Sequence, residues 1–441
     1  MQTTVTFTPE CGPVHGWHDG ELLRANGIPY ARADRFALPS PTPPWVEPLP
    51  ATEPAPACPQ PPVEFLDEVL GGFSSVSGHD EHCQRLSVTM PGDVRPGEAL
   101  PVMVWVHGGS YVFGAGDVGC MDPAPLVREQ RVVVVTVTYR LGLFGFLGDG
   151  VSRPANLGLF DLLEALRWVQ RNIAAFGGDP GNVTAFGQSA GADAIAHLMA
   201  TRESRGLFRR VILQSPPLGI RRGRARMNAA MMRVASSLTA QTPVAQVVRL
   251  TGPVLRVGSR FGLKGAMSFG PQAGHAPLPA EAQVEAAWDA VAPHVDVLIG
   301  YARDEAELFL QRPGPLRAVF DRPRVGPWLS ARIRNRTTEA VYGRACREFA
   351  ARHARAGGNA WSYLITWAAP GNPFGAAHTI DLPLLFGDEA TWRDATLVAG
   401  ATWEELQAAA RPVRALWADF ARGTTPADST QIPDTLTCTR A

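Results

Sequence analysis

The sequence predicts the α/β class: a mostly parallel central sheet with helices on both faces. Three observations predict it. Short apolar runs rich in β-branched residues recur from residue 100 onward. A helical pattern of apolar residues separates the second run from the third. Strand, helix, strand in that order calls for parallel strands joined by crossovers.

The chain has 441 residues, enough for one large domain or two ordinary ones. Hydrophobic residues make up 45% and charged residues 19%, a globular composition. The 41 basic and 41 acidic residues balance. A duplex-binding protein carries surplus positive charge, so nucleic acid is not an expected partner. No apolar run approaches the roughly 20 residues of a membrane helix. The opening MQTTVTFTPECG has no basic stretch followed by an apolar one, so no signal peptide is expected and the location reads as cytoplasmic. The six cysteines form no CxxC or Cys/His cluster, which predicts no zinc site and mostly free thiols.

Residues 39–62 are dense in proline. Proline forbids regular ladders and helices, so this stretch is an extended surface crossing or a flexible linker. A packed crossing is expected, because the motifs on either side belong to one pattern. The strands follow: Pro101 to Val106, Val132 to Tyr139, Val183 to Phe186, Val211 to Leu213, Val295 to Ile299 and Trp361 to Trp367. Between the second and third, Leu159, Leu162, Leu163, Leu166, Val169 and Ile173 recur at steps of three and four, one face of an amphipathic helix. Gly177 and Gly178 stop it. Residues 217–280 hold nine basic residues (Arg221, Arg222, Arg224, Arg226, Arg233, Arg249, Arg256, Arg260, Lys264) and no Asp or Glu. Their apolar periodicity is weak, and the segment reads as an insertion over one edge of the core.

Chemistry is carried first by Gly187-Gln188-Ser189-Ala190-Gly191, between the strand VTAF and the helix-compatible ADAIAHLMA. A sharp strand-to-helix turn strains the serine and lifts its hydroxyl clear of the backbone. The neighbours must be small, and the following helix aims its N-terminus at developing negative charge. A second motif, His107-Gly108-Gly109-Ser110, ends the first apolar run. Glycines let backbone N–H groups approach a substrate closely, as an oxyanion requires.

With both motifs in view, the chain resembles the type-B carboxylesterases, which include bacterial para-nitrobenzyl esterases and the cholinesterases. The likeness runs from about residue 12 to about residue 423. It is carried by GIPYAR at 27–32, LPVMVWVHGGSYVFGAG at 100–116, VVVTVTYRLGLFGFL at 133–147 and NLGLFDLLEALRWVQRNIAAFGGDPGNVTAFGQSAGA at 156–192. The resemblance implies an α/β-hydrolase fold over residues 1–441 as a single domain, with a small N-terminal antiparallel sheet and a basic cap-like insertion at about 217–290. It also implies a serine carboxylesterase acting on a small-molecule ester through an acyl-enzyme on Ser189, with no metal or organic cofactor.

The same resemblance supplies the rest of the site. IGYARDEAELF places Glu305 as the family acid, with Asp304 a minor rival, and GAAHTIDLPLLFG places His378 as the base. The order Ser189, Glu305, His378 is that of the fold. The oxyanion donors become the N–H groups of Gly109, Ser110 and Ala190, supported by Gly108, and Ser215 becomes the buried serine beside the acid. Departures limit the carry-over. The family signature E-D-C-x-x-L-N-V stands here as Glu81 to Val88 with His82 and Ser87. Ser110 narrows a loop that has three glycines in some relatives. Cys58 and Cys83 match positions that are bonded in secreted relatives, and their state here is left open. Two other readings remain: a non-hydrolytic enzyme on this fold and, with less support, a binding protein that has lost its chemistry.

Overall fold

The computed structural model describes residues 4–73, 76–95, 97–312 and 326–441. These residues contain fifteen strands in chain order. They are β1 (Thr4–Phe7), β2 (Val14–Asp19), β3 (Leu22–Pro29), β4 (Ala31–Arg32), β5 (Ser40–Pro41), β6 (Leu49–Pro50), β7 (Arg85–Pro91), β8 (Leu100–Val106), β9 (Val133–Thr138), β10 (Gly178–Gln188), β11 (Arg210–Gln214), β12 (Asp296–Ala302), β13 (Ala360–Ile365), β14 (Ser429–Ile432) and β15 (Leu436–Arg440). Twelve form one path, β1-β2-β3-β7-β9-β8-β10-β11-β12-β13-β15-β14, with β6 attached to β2. The middle, from β9 to β13, is parallel. Antiparallel strands flank it at both ends. β4 and β5 make the separate small antiparallel sheet near the N-terminus.

Each central strand feeds two cores, because alternate side chains point to opposite faces. Val102, Val104 and Val106 of β8 join one buried cluster while Met103 and Trp105 join the other. The expected helix spans Leu157–Asn172 and packs Leu159, Leu162, Leu163, Leu166 and Val169 into the first cluster. It tightens into a 3₁₀ turn and ends at Gly177, φ 79°. Its register on β9 is pinned by Asp161, which accepts from Arg140 Nε at 2.8 Å and Nη2 at 2.7 Å, both side chains buried. The second face is covered by the helix Trp403–Arg422, started by a Thr402–Glu405 capping box.

The proline-rich stretch is a packed crossing. Ala51, Ala55, Ala57 and Cys58 are buried, and Gln60 exchanges two hydrogen bonds with Gly114. Cys58 and Cys83 are free buried thiols, as are the other four cysteines. Residues 217–280 are more regular than their weak periodicity suggests. They contain the helices Ala225–Val234 and Val244–Gly258. The second buries Val247, Thr251, Val254 and Gly258, a stripe too small and too mixed to read as an apolar face. Its basic character is partly offset from outside, since Glu285 pairs with Arg221 and Arg222. No helix among the described residues is long and apolar enough to cross a membrane.

Candidate active site

The parallel strands end together, and their carboxyl ends build the site. β10 stops at Gln188 and the helix Ala190–Met199 starts immediately after it. Ser189 lies between, at φ 55° and ψ −120°, a strained conformation for any residue with a side chain. Two hydrogen bonds hold it there: its N–H donates to Gln214 O at 2.8 Å and its carbonyl accepts from Asp193 N at 2.9 Å. The flanking glycines are required by the neighbouring strand more than by the turn itself. A Cβ on Gly191 would lie 1.9 Å from Val106 O, and one on Gly187 2.5 Å from the same atom.

β12 delivers Glu305 and the loop after β13 delivers His378. Glu305 is fully buried, His378 is 3% exposed and Ser189 7%. Glu305 Oε2 accepts from His378 Nδ1 at 2.5 Å. Its Oε1 accepts from Ser215 Oγ at 2.5 Å and from Ala302 N at 2.7 Å. A carboxylate taken out of water needs such donors. Ser215 reaches it from a left-handed conformation, φ 49°, just past β11. Asp304, the rival acid, faces elsewhere: its Oδ2 accepts from Arg303 Nε at 3.0 Å and Ala376 N at 3.1 Å.

With its Nδ1 proton committed to Glu305, His378 presents a lone pair at Nε2. That lone pair accepts from the side-chain amide of Gln188 at 3.2 Å. The Ser189 hydroxyl makes no hydrogen bond among the described residues. Ser189, Gln188, His378 and the Gly108-Gly109-Ser110 loop all line one small cleft, with about 50 Å³ of free volume. Gly109 and Ser110 are both left-handed, φ 109° and 55°. The N–H groups of Gly109, Ser110 and Ala190 donate to no acceptor among the described residues. His107 is not a candidate base: burial pulls its pKa down to about 4, and its ring stacks on Tyr139.

The walls include residues that sequence reasoning missed. Leu66, Leu70, Phe73, Met121, Leu308 and Leu382 make the cleft apolar. Tyr342 and Phe309 lie 5.1 and 5.6 Å from the His378 ring. Close to Glu305 and His378, Asp381 accepts from Gln214 Nε2, and burial raises its pKa to about 6. The D-x-P pattern after His378 was the signal that could have singled out Asp381. Gln188 sits at a free position of its motif and gave none.

Known proteins agree with this architecture. The carboxylesterase family model matches residues 6–315. The “Probable N-octanoylanthranilate hydrolase” of Rhodococcus erythropolis is 40% identical over 94% of this chain and 92% of its own. The para-nitrobenzyl esterase of Bacillus subtilis is 30% identical over 95% of this chain and 90% of its own. A solved thermophilic pNB esterase superposes with a TM-score of 0.82 at 28% identity, covering 99% of this chain and 98% of that one. Fold and site define an α/β-hydrolase. The chain belongs to the carboxylesterase family and, by that membership, is a carboxylic ester hydrolase acting on small-molecule esters.

Proposed function

We propose that the chain hydrolyses esters by two-step acyl transfer on Ser189. His378 Nε2 takes the hydroxyl proton as Ser189 Oγ attacks the carbonyl carbon. Glu305 holds the imidazole tautomer and stabilises the imidazolium. The N–H groups of Gly109, Ser110 and Ala190 receive the oxyanion; one such donor is typically worth about 2.7–4 kcal/mol. His378 then gives its proton to the leaving group, and water repeats the cycle on the acyl-enzyme. Proton transfer requires Nε2 to release the Gln188 amide and take the serine hydroxyl. The carrying observation is the 2.5 Å contact of His378 Nδ1 with Glu305, which turns the Nε2 lone pair into the cleft that Ser189 also lines.

In this reading residues 217–290 act as a cap on a single domain, and the six free thiols favour the cytoplasm. The 40% identical relative supports a second substrate class, N-acyl aromatic amides bearing a carboxylate. Ser189→Ala is expected to abolish p-nitrophenyl acetate hydrolysis while leaving the circular dichroism spectrum unchanged. Full activity in that variant would sink the assignment. Rates on p-nitrophenyl octanoate and N-octanoylanthranilate then separate ester from amide preference.

A further inference from the structure

The helices Gly326–Thr338 and Arg344–Arg355 run on into each other through a π-helical turn, Glu339–Gly343. A π turn is rare, and single turns of this kind inside a helix are often found at functional sites. Here its place is enforced from outside. A Cβ on Gly219 would lie 1.9 Å from Ala340 O and 2.9 Å from Val341 O. The turn therefore packs against the segment that follows Ser215, whose hydroxyl donates to Glu305. Val341, Tyr342 and Gly343 are buried.

The turn sets Tyr342 against the base. The ring centroids of Tyr342 and His378 are 5.1 Å apart and their planes differ by 36°. That angle is nearer to an offset stack than to an edge-on contact, and the distance is inside the roughly 6 Å over which a ring face attracts a cation. Phe309 stands 5.6 Å from the same imidazole, but it lines the cleft and is 47% exposed. Tyr342 is not part of the described cleft wall and is 5% exposed. The attraction between a cation and a ring is stronger where water is excluded, so Tyr342 is the more effective of the two.

Proton transfer is not the role of Tyr342. Burial first, then the Glu305 carboxylate, push its phenol well above the usual range. Its hydroxyl makes no hydrogen bond among the described residues. What it offers His378 is the ring.

We propose that Tyr342 is a positioning residue for ester hydrolysis, its ring face favouring the imidazolium form of His378. This rests on His378 acting as the base toward Ser189. As Ser189 Oγ bonds to the carbonyl carbon, its proton passes to His378 Nε2 and a positive charge appears on the imidazole. The charge disappears when that proton goes to the leaving group. The neutral resting imidazole gains less from the ring than the imidazolium does, so the contact lowers the barrier and leaves substrate binding alone.

The test replaces Tyr342 in the full chain by phenylalanine and by mono-, di- and trifluorophenylalanine through amber-codon suppression. Fluorine draws electron density from the ring face and adds little volume. Phenylalanine is expected to keep the wild-type kcat on p-nitrophenyl acetate. Each fluorine should then lower kcat, by about tenfold in all at three, with KM unchanged. Para-methylphenylalanine adds bulk but keeps the face electron-rich, and should keep the phenylalanine rate. Labelling of Ser189 by a fluorophosphonate, lost in His378→Ala, checks the base separately. Absence of that labelling in the wild type would overturn the triad and the role of Tyr342 together. Labelling with a flat fluorine series would overturn the role of Tyr342 alone. So would a loss already complete at phenylalanine, which points to the hydroxyl, or a methylated variant as slow as the trifluorinated one, which points to bulk.

Discussion

At the scale of single residues, the site stores its cost in buried charge and strained backbone. Ser189, Ser110 and Ser215 all sit at positive φ without being glycine; the first two line the cleft and the third donates to Glu305. Asp381 adds an electrostatic cost. Its carboxyl titrates near 6 in the folded chain against 3.8 when exposed, chiefly through burial. The folded state therefore favours the protonated form. In strong acid both folded and unfolded chains carry the proton and the cost is absent. As pH rises through the window from 3.8 to about 6 the unfolded carboxyl ionises first, and stability falls. Above that window the full loss applies, on the order of 3 kcal/mol. Asp381→Asn keeps a carbonyl to accept from Gln214 and carries no charge. The variant is expected to melt above the wild type in mildly alkaline buffer, with the gap closing as the buffer is acidified. A gap that stays constant across pH would mean that Asp381 is not the source.

At the scale of elements, the strand-turn-helix at 178–199 was legible because its constraints are local. The apolar strand, the two small residues and the helix all lie within twenty-odd positions, and each has a sequence signature. Glu305 and His378 lie 73 residues apart in the chain, and nothing local predicts that they touch. Only the family likeness placed them. Gln188 was invisible because its role arises from what lies across the cleft. The turn yields a sharp expectation. Gly191→Ala places a methyl against Val106 O and His107 O, both backbone atoms that cannot yield without moving β8. Since β8 carries the Gly108–Ser110 loop, the variant should lose activity by about a hundredfold or more. Its melting temperature should fall as well. Wild-type kcat/KM in Gly191→Ala would show that the crowding is relieved elsewhere.

At the scale of the molecule, the parallel centre was readable from sequence and its antiparallel margins were not. The central strands are buried on both faces, so each reads as an unbroken apolar run. β1, β14 and β15 alternate buried or half-buried with exposed positions, and over four or five residues such alternation resembles loop. Yet the C-terminal pair closes the sheet. β15 covers β13 from Trp361 opposite Arg440 to Ile365 opposite Leu436, all but its first residue. Leu436 and Cys438 are fully buried in the core cluster that holds Trp361 and Tyr363. Leu436 alone contributes about 2 kcal/mol by burial. Thr435 O also accepts from Thr366 N at 2.8 Å and Trp367 N at 3.3 Å, the first residues of the loop that ends at His378. Removing residues 426–441 should therefore act in two ways. It exposes β13 as an apolar edge, a template for pairing between copies. It also frees the start of the histidine loop, so that His378 is less well held against Glu305. Light scattering should show association beyond the wild-type state, and the dispersed fraction should lose kcat more than it gains KM. A truncated chain that keeps the wild-type mass, melting temperature and kcat would show that the sheet ends functionally at β13.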